Sequence, residues 1–299
     1  MFRSFIKGGL ETGLVASGCA RRRRRKQPRR LVVLSYHNIV PPDHASSGDP
    51  SLHLPLDRFC HQLDVLQNHF DIVSLRELGD VVAGPRPQAA ITFDDAYRGA
   101  LELAIPELAR RGLPGTVFVC PGLLGAEGFW WDRLGDQPEG LTADPRQTAL
   151  KHFQGQREEI LRAHPAAVAI PDPMMIPGTA EGLAVCAQRK GITLASHTWS
   201  HPNLAEFSEN EVEMELRRSV AWLQERHPHQ TLEEHLSLPY GLYDEKVLRV
   251  ARKAGFRFLY RVEGGGADLP LPDSGLLPRV NVPRGLSTKG FELRVSGVL

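Results

Sequence analysis

Ala89-Ala90-Ile91-Thr92-Phe93-Asp94-Asp95 is a short apolar run that ends abruptly in two carboxylates. A run this short, rich in small and β-branched residues, reads as a strand buried on both faces, and the two aspartates stand at its C-terminal end. The same punctuation recurs along the chain. Leu31 to Tyr36 is an apolar strand ending at His37, Ile192 to Ala195 leads into His197, and Leu236 leads to Tyr240. Ile72 to Leu75, Gly115 to Cys120, Phe256 to Tyr260 and Leu276 to Val282 complete the set of strands.

Helical periodicity fills the gaps. Phe59, Leu63, Leu66 and Phe70 share one face of Leu56–Phe70, and Val212, Leu216, Val220 and Leu223 share one face of Ser208–Arg226. Further helices are expected over Arg76–Val82, Ala100–Arg111 (closed by Gly112), Gln147–Ala163, Gly182–Lys190 and Asp244–Ala254. Strands alternating with helices of this length imply βα units and a largely parallel sheet. In such folds chemistry collects at the C-terminal ends of strands, which is where His37, Asp94, Asp95, His197 and Tyr240 fall.

The chain has 299 residues, 41% of them apolar and 24% charged, enough for one large core. A net charge of +1 gives no overall field that would recruit nucleic acid. Cys19, Cys60, Cys120 and Cys186 form no CxxC and read as reduced thiols. Basic charge is concentrated in Arg21 to Lys26, Arg29 and Arg30, which reads either as a solvated arm or as a contact for an anionic surface such as lipid headgroups. The stretch before it is short, carries Glu11 and several glycines, and is too short to span a bilayer, which needs roughly 20 apolar residues. A basic block placed after the apolar part opposes export. The expectation is therefore a cytoplasmic protein, or one peripheral to the cytoplasmic membrane, with residues 1–30 a short helix and basic arm and residues 31–299 a single catalytic domain.

Asp94-Asp95 reads in two ways: a metal ligand beside a general base, or a pair of N-capping aspartates. His197-Thr198-Trp199-Ser200-His201 has the i, i+4 spacing that sets two imidazoles on one side of a helical turn, and the alternative is two surface histidines. Two imidazoles and one carboxylate suit a divalent cation, zinc above all, with a coordination place left for chemistry. Asp95, His197 and His201 are the candidate metal ligands. Asp94 is the candidate base, His37 the candidate acid, and the N–H of Tyr240 a candidate donor to a developing oxyanion. The resulting reaction is amide or ester hydrolysis. Glycoside hydrolysis fits poorly, because it needs two carboxylates roughly 5–10 Å apart across the bond.

Thr92-Phe93-Asp94-Asp95 followed by Ser196-His197-Thr198-Trp199-Ser200-His201-Pro202 resembles the polysaccharide deacetylase family, carbohydrate esterase family 4. The resemblance spans roughly residues 31–285. It implies a distorted (β/α)7-type barrel, Asp94 as base, a metal on Asp95, His197 and His201, and an N-acetylated glycan as substrate. The family's third motif, Arg-x-Pro-Tyr, reads Ser237-Leu238-Pro239-Tyr240, so the arginine that orients the base is absent from its place. Ser35-Tyr36-His37-Asn38-Ile39 is similar to the N-terminal motif of the bacterial exopolysaccharide deacetylases, in which the acid histidine comes from the first strand. Deacylation or deformylation of a lipid-linked sugar, and glycan binding by a non-catalytic metal-retaining barrel, are the alternatives. Trp131, within Phe129-Trp130-Trp131, is expected to stack on a sugar, and Arg279, at the end of a strand, to bind a carboxylate near the site; both are candidate substrate-binding residues.

Overall fold

A computed structural model describes residues 10–44, 48–80, 84–135, 142–165, 167 and 172–299. Seven strands form the core: β1 (Arg30–Tyr36), β2 (Gln88–Phe93), β3 (Gly115–Val119), β4 (Ile192–Ser196), β5 (Thr231–Ser237), β6 (Phe258–Gly264) and β7 (Leu276–Asn281). Each pairs in parallel with the next, and β7 pairs with β1, so the sheet closes on itself as a seven-stranded parallel barrel. Closure removes the edges an open sheet would expose.

The period of two along each strand sorts side chains between two cores. Val32 and Leu34 of β1 and Ile91 and Phe93 of β2 face outward, against Phe59, Leu63 and Leu66 of α2 (Leu56–His69) and Leu108 of α3 (Ile105–Arg111). Leu31, Val33, Ala90, Phe118, Ala195, Tyr260 and Leu277 fill the barrel interior. Counting on by twos from the interior set leads to Ser35, Asp94, His197 and Arg279, so alternation alone aims these polar side chains into the mouth of the barrel. The register Tyr36↔Phe93 brings His37 beside Asp94, fixed by Asp94 N–H donating to the Tyr36 carbonyl at 2.9 Å. His197 N–H donates likewise to the Val119 carbonyl at 2.9 Å.

Two irregularities distort the barrel, and both lie at its functional rim. The register shifts between Ala195 and Ser196 where β4 meets β5, and between Leu277 and Arg279 where β7 meets β6. The second contains Pro278, which has no N–H to give to a ladder. Bulges of this kind re-aim neighbouring side chains.

Most expected elements are present within one or two residues. The expected helix Gln147–Ala163 is instead two, Ala143–Lys151 and Arg157–Ala163, because Gln154 (φ 53°) and Gly155 (φ 75°) turn the chain between them. The expected helix Arg76–Val82 is a 3-10 helix over Leu75–Asp80, and its last two positions lie outside the described residues. Trp130–Leu134 forms a short helix, α4, over the mouth. The chain continues through α5 (Ala180–Ala187), α6 (Glu209–Arg226), α7 (Glu245–Lys253) and α8 (Thr288–Val295). Ser208 and Glu211 cap α6 reciprocally, and the Asp244 side chain accepts from the Val247 N–H to start α7. The arginine run is helical, α1 (Cys19–Lys26), and it packs on α8. Among the described residues no helix is long and apolar enough to cross a membrane.

Candidate active site

Asp95, His197 and His201 converge. The Nε2 atoms of the two histidines are 3.1 Å apart, and Asp95 Oδ1 lies 3.5 Å from His197 Nε2 and 3.3 Å from His201 Nε2. All three residues are buried. A tetrahedral centre with bonds of about 2.0–2.1 Å needs ligand atoms about 3.3 Å apart, so the spacing fits a cation of zinc's size. Asp95 Oδ1 is buried without a hydrogen-bond partner, an expensive state for a carboxylate oxygen unless a cation takes it up. Its carboxyl is pushed well up, by burial first and then by the charges of Asp94 and Asp132. Burial lowers both imidazoles, leaving them neutral and able to ligate. His197 Nδ1 donates to the Ser237 carbonyl at 2.8 Å, which puts the lone pair on Nε2.

The two histidines do not share a helical turn, as their spacing led us to expect. Residues 197–203 are a loop in which Thr198 (φ 68°) and His201 (φ 59°) take left-handed conformations. Glu215 of α6 fastens this loop. It accepts from the N–H groups of Trp199 and Ser200, both at 2.9 Å, and from the Ser200 hydroxyl at 2.8 Å. Arg218 stacks on the Trp199 ring at 3.8 Å. Asp95 (φ 70°), Ala96 (φ 55°) and Tyr240 (φ 57°) are also left-handed. Five of the six non-glycine residues in that region among those described thus surround one site, a concentration of backbone strain that typifies functional centres.

Asp94 points away from Asp95 and meets Arg279. The guanidinium clasps the carboxylate in bidentate fashion, at 2.8 Å to Oδ1 and 2.7 Å to Oδ2. Burial by itself would raise the Asp94 carboxyl; Arg279, with help from His197, overrides it and holds the group well below the usual carboxylate range. Ser237 Oγ lies 2.9 Å from the guanidinium and 3.3 Å from Asp94 Oδ2. Arg279 thus binds a carboxylate near the site, as expected, but that carboxylate is Asp94, and the substrate-binding role expected of Arg279 is corrected. Only 1% of the residue is exposed, and its charge is committed to Asp94. Arg279 supplies from β7 the cation that the Ser237-Leu238-Pro239-Tyr240 motif lacks.

The remaining candidates line one cavity of about 150 Å³, with Asp94, Asp95, His197 and His201 at its floor. His37 is in the wall, its imidazole lowered to about 4 by burial and next by Arg279 and His197, while Asp94 opposes the shift. Trp131 also stands in the wall, with its ring 4.9 Å from that of His201 and its indole N–H given to the Tyr97 hydroxyl at 2.8 Å. The Tyr240 hydroxyl donates to the His201 carbonyl at 3.2 Å and accepts from the Trp130 indole at 3.0 Å, so the side chain braces both the loop and α4.

Sequence reasoning missed the supports. Ser237 is one of them, though its occupation of the motif arginine's place was the available signal. Glu215 is another. A third is Asp132, fully buried, which accepts from the Tyr97 hydroxyl at 2.6 Å and the Asp49 N–H at 2.9 Å and faces His53 Nε2 at 3.0 Å. Through Tyr97 and Asp49 it fixes two walls of the cavity.

Residues 82–259, more than half of the chain, match the family model described as Polysaccharide deacetylase. The protein YxkH of Bacillus subtilis (strain 168), which carries a polysaccharide deacetylase name, is 24% identical over 268 residues, covering 87% of this chain and 74% of that one. Among solved structures, IcaB from Ammonifex degensii superposes with a TM-score of 0.63 at 19% identity, covering 91% of this chain and 97% of the other. The Streptococcus pyogenes deacetylase PplD, in complex with acetate, gives 0.59 at 17% identity, covering 89% and 98%. At these identities the superpositions show the fold. From the family match, the chain belongs to the polysaccharide deacetylases, carbohydrate esterase family 4, and is a hydrolase acting on non-peptide carbon–nitrogen bonds.

Proposed function

We propose that this chain removes N-acetyl groups from a bacterial glycan, using a divalent cation held by Asp95, His197 and His201. The observation that carries the reading is the geometry around Asp94 and Asp95. Two adjacent carboxylates are parted, one towards two neutral imidazoles and the other into a guanidinium. When bound, the cation supplies Lewis acidity for the acyl oxygen and the attacking water. Zinc is our assignment, on the donor set.

Asp94 stays ionised because Arg279 faces it, and its carboxylate takes the proton of the attacking water. The clasp also fixes the carboxylate plane, so that this proton is met without reorganisation. Tyr240 also lines the cavity, and we assign its backbone N–H to the charge developing on the acyl oxygen. His37 is neutral at pH 7 in the resting site. Negative charge building on the acyl oxygen raises its affinity for a proton; it takes up the one that Asp94 drew from the water and passes it to the leaving nitrogen, which returns Asp94 to its ionised form. Trp131 offers a flat apolar wall to the sugar or its acyl group.

A cavity of about 150 Å³ suits an acyl group as short as acetyl or formyl. PplD, of the same fold, is described in complex with acetate. The Tyr36-His37 pair on the first strand favours an exopolysaccharide of the poly-N-acetylglucosamine kind over a lipid-linked precursor. The ground for a non-catalytic barrel was the missing motif arginine, and Arg279 removes it. The test is acetate release from N-acetylglucosamine oligosaccharides before and after exhaustive chelation. Release that persists in metal-free protein would overturn the reading; loss on chelation and return with added zinc is the expected result.

A further inference from the structure

We infer that the exposed face of α1 is a docking surface for an anionic lipid bilayer. Residues 21–30 hold eight cations and no carboxylate, while the whole chain is only +1, so the rest of the chain sums to −7. The run is folded onto the barrel in one fixed orientation. Ala20 and Arg24, four residues apart, face inward and are 1% and 7% exposed. Arg24 Nη1 pairs with Glu292 Oε1 at 3.1 Å and donates to Ser296 Oγ at 2.6 Å, both on the last turn of α8 and just beyond it. Upstream, Glu11 is 6% exposed and accepts from the Ser287 hydroxyl at 2.6 Å. With these two anchors set, Arg21, Arg22, Arg23, Arg25, Lys26 and Arg29 are left exposed.

Among the described residues, none of those six makes an ion pair. Arg21 and Arg25, and Arg22 and Lys26, are like charges at i, i+4, which weakens a helix. A rigid array of unneutralised cations is stabilised by an anionic partner. The flanking residues choose a bilayer over a soluble polyanion. Leu10, next to the Glu11 anchor, is 64% exposed, and Leu299, three residues beyond Ser296, is 62% exposed. Phe2, Phe5 and Ile6 add to this apolar character in the sequence just upstream. A bilayer interface takes up such side chains alongside the headgroup charges, and a polyanion does not. The helix ends where β1 begins, and the catalytic mouth lies at the far end of that strand, about 20 Å away at 3.3 Å per residue. The bilayer would therefore hold the basic flank and leave the mouth open to substrate in the aqueous phase.

The test is co-sedimentation of the full chain with vesicles of phosphatidylcholine alone or with about one-third phosphatidylglycerol. Binding is expected on the anionic vesicles only, and raising NaCl from about 0.1 to about 0.5 M should release it. Each cation contributes roughly five-fold to partitioning onto an anionic surface, so Arg21→Gln/Arg22→Gln/Arg25→Gln should bind roughly 100-fold more weakly. Its melting temperature should not fall below the wild-type value, since none of the three makes a hydrogen bond or ion pair to α8. Equal binding to neutral vesicles, no binding to anionic ones, or an unchanged triple variant would overturn the inference. Retention on polyphosphate without vesicle binding would overturn it too, by assigning the surface to a polyanion.

Discussion

Replacing Arg279 with alanine tests whether a cation from β7 does the work of the absent motif arginine. The substitution leaves Asp94, 1% exposed, without its bidentate partner. Breaking a buried pair by removing one member costs about 3–5 kcal/mol, because the other charge stays behind. For a domain of this size, that lowers the melting temperature on the order of 10 °C. With Arg279 present, the folded value of Asp94 lies below the unfolded value of about 3.9. Its stabilisation is therefore complete above the unfolded value and is lost as pH falls through the folded one. The stability gap between wild type and variant should be smallest in acid, widen as pH rises through the unfolded value, and level only above the raised Asp94 value of the variant. Catalysis reports the same event differently. Without the guanidinium, burial prevails and the Asp94 carboxyl moves up, so the acid limb of the kcat profile shifts to higher pH. A general base contributes about 10²–10⁴-fold, so kcat at neutral pH should fall about 100-fold, with partial recovery in alkali as Asp94 ionises again. The measurement is kcat and KM against pH for acetate release, alongside thermal unfolding. An Arg279→Ala variant with the wild-type acid limb and wild-type kcat would refute the reasoning, whatever its stability.

Other consequences are open to direct measurement. Ser237 Oγ already touches both Arg279 and Asp94, so the exchange Ser237→Arg/Arg279→Ser should recover at least ten-fold of the activity lost in Arg279→Ser alone; no recovery would show that the strand of origin matters. Asp95→Asn and His201→Ala should each abolish stoichiometric zinc binding in calorimetry, and a retained site of wild-type affinity would remove them as ligands. Glu215→Gln keeps the shape but weakens three hydrogen bonds that shape the histidine loop, so zinc affinity should drop about 10–100-fold while helix content is unchanged. His37→Gln should lower kcat more than KM, and the loss should be smaller for an aryl ester whose leaving group needs no proton; an equal loss on both substrates would argue against an acid role.

The chain shows its barrel in short apolar runs that stop at polar residues. Such runs mark buried parallel strands, since a parallel sheet covered on both faces has no polar positions except at its ends. Helix starts were legible where local chemistry sets them, as at Ser208 with Glu211 and at Asp244. The single helix expected over Gln147–Ala163 breaks at Gln154-Gly155, where the left-handed turn of Gln154 has no signature of its own and Gly155 is the available signal. The histidine pair does meet Asp95, but in a loop and not on a helical turn. Spacing alone does not separate a helical turn from a strained loop, and Glu215, which decides the matter, lies on another element.

Sequence alone determined which residues are competent for the chemistry and which end of the barrel they occupy. Side-chain type fixes ligand and proton chemistry, and alternation along a strand fixes direction. Tertiary structure decided how the charges are shared. Arg279 and Asp94 are 185 residues apart. Only barrel closure, which sets β7 between β6 and β1, brings a guanidinium into the place that Ser237 leaves open. The energy of a buried charge depends on distance to its partner, and that distance is not written in any local stretch of the chain.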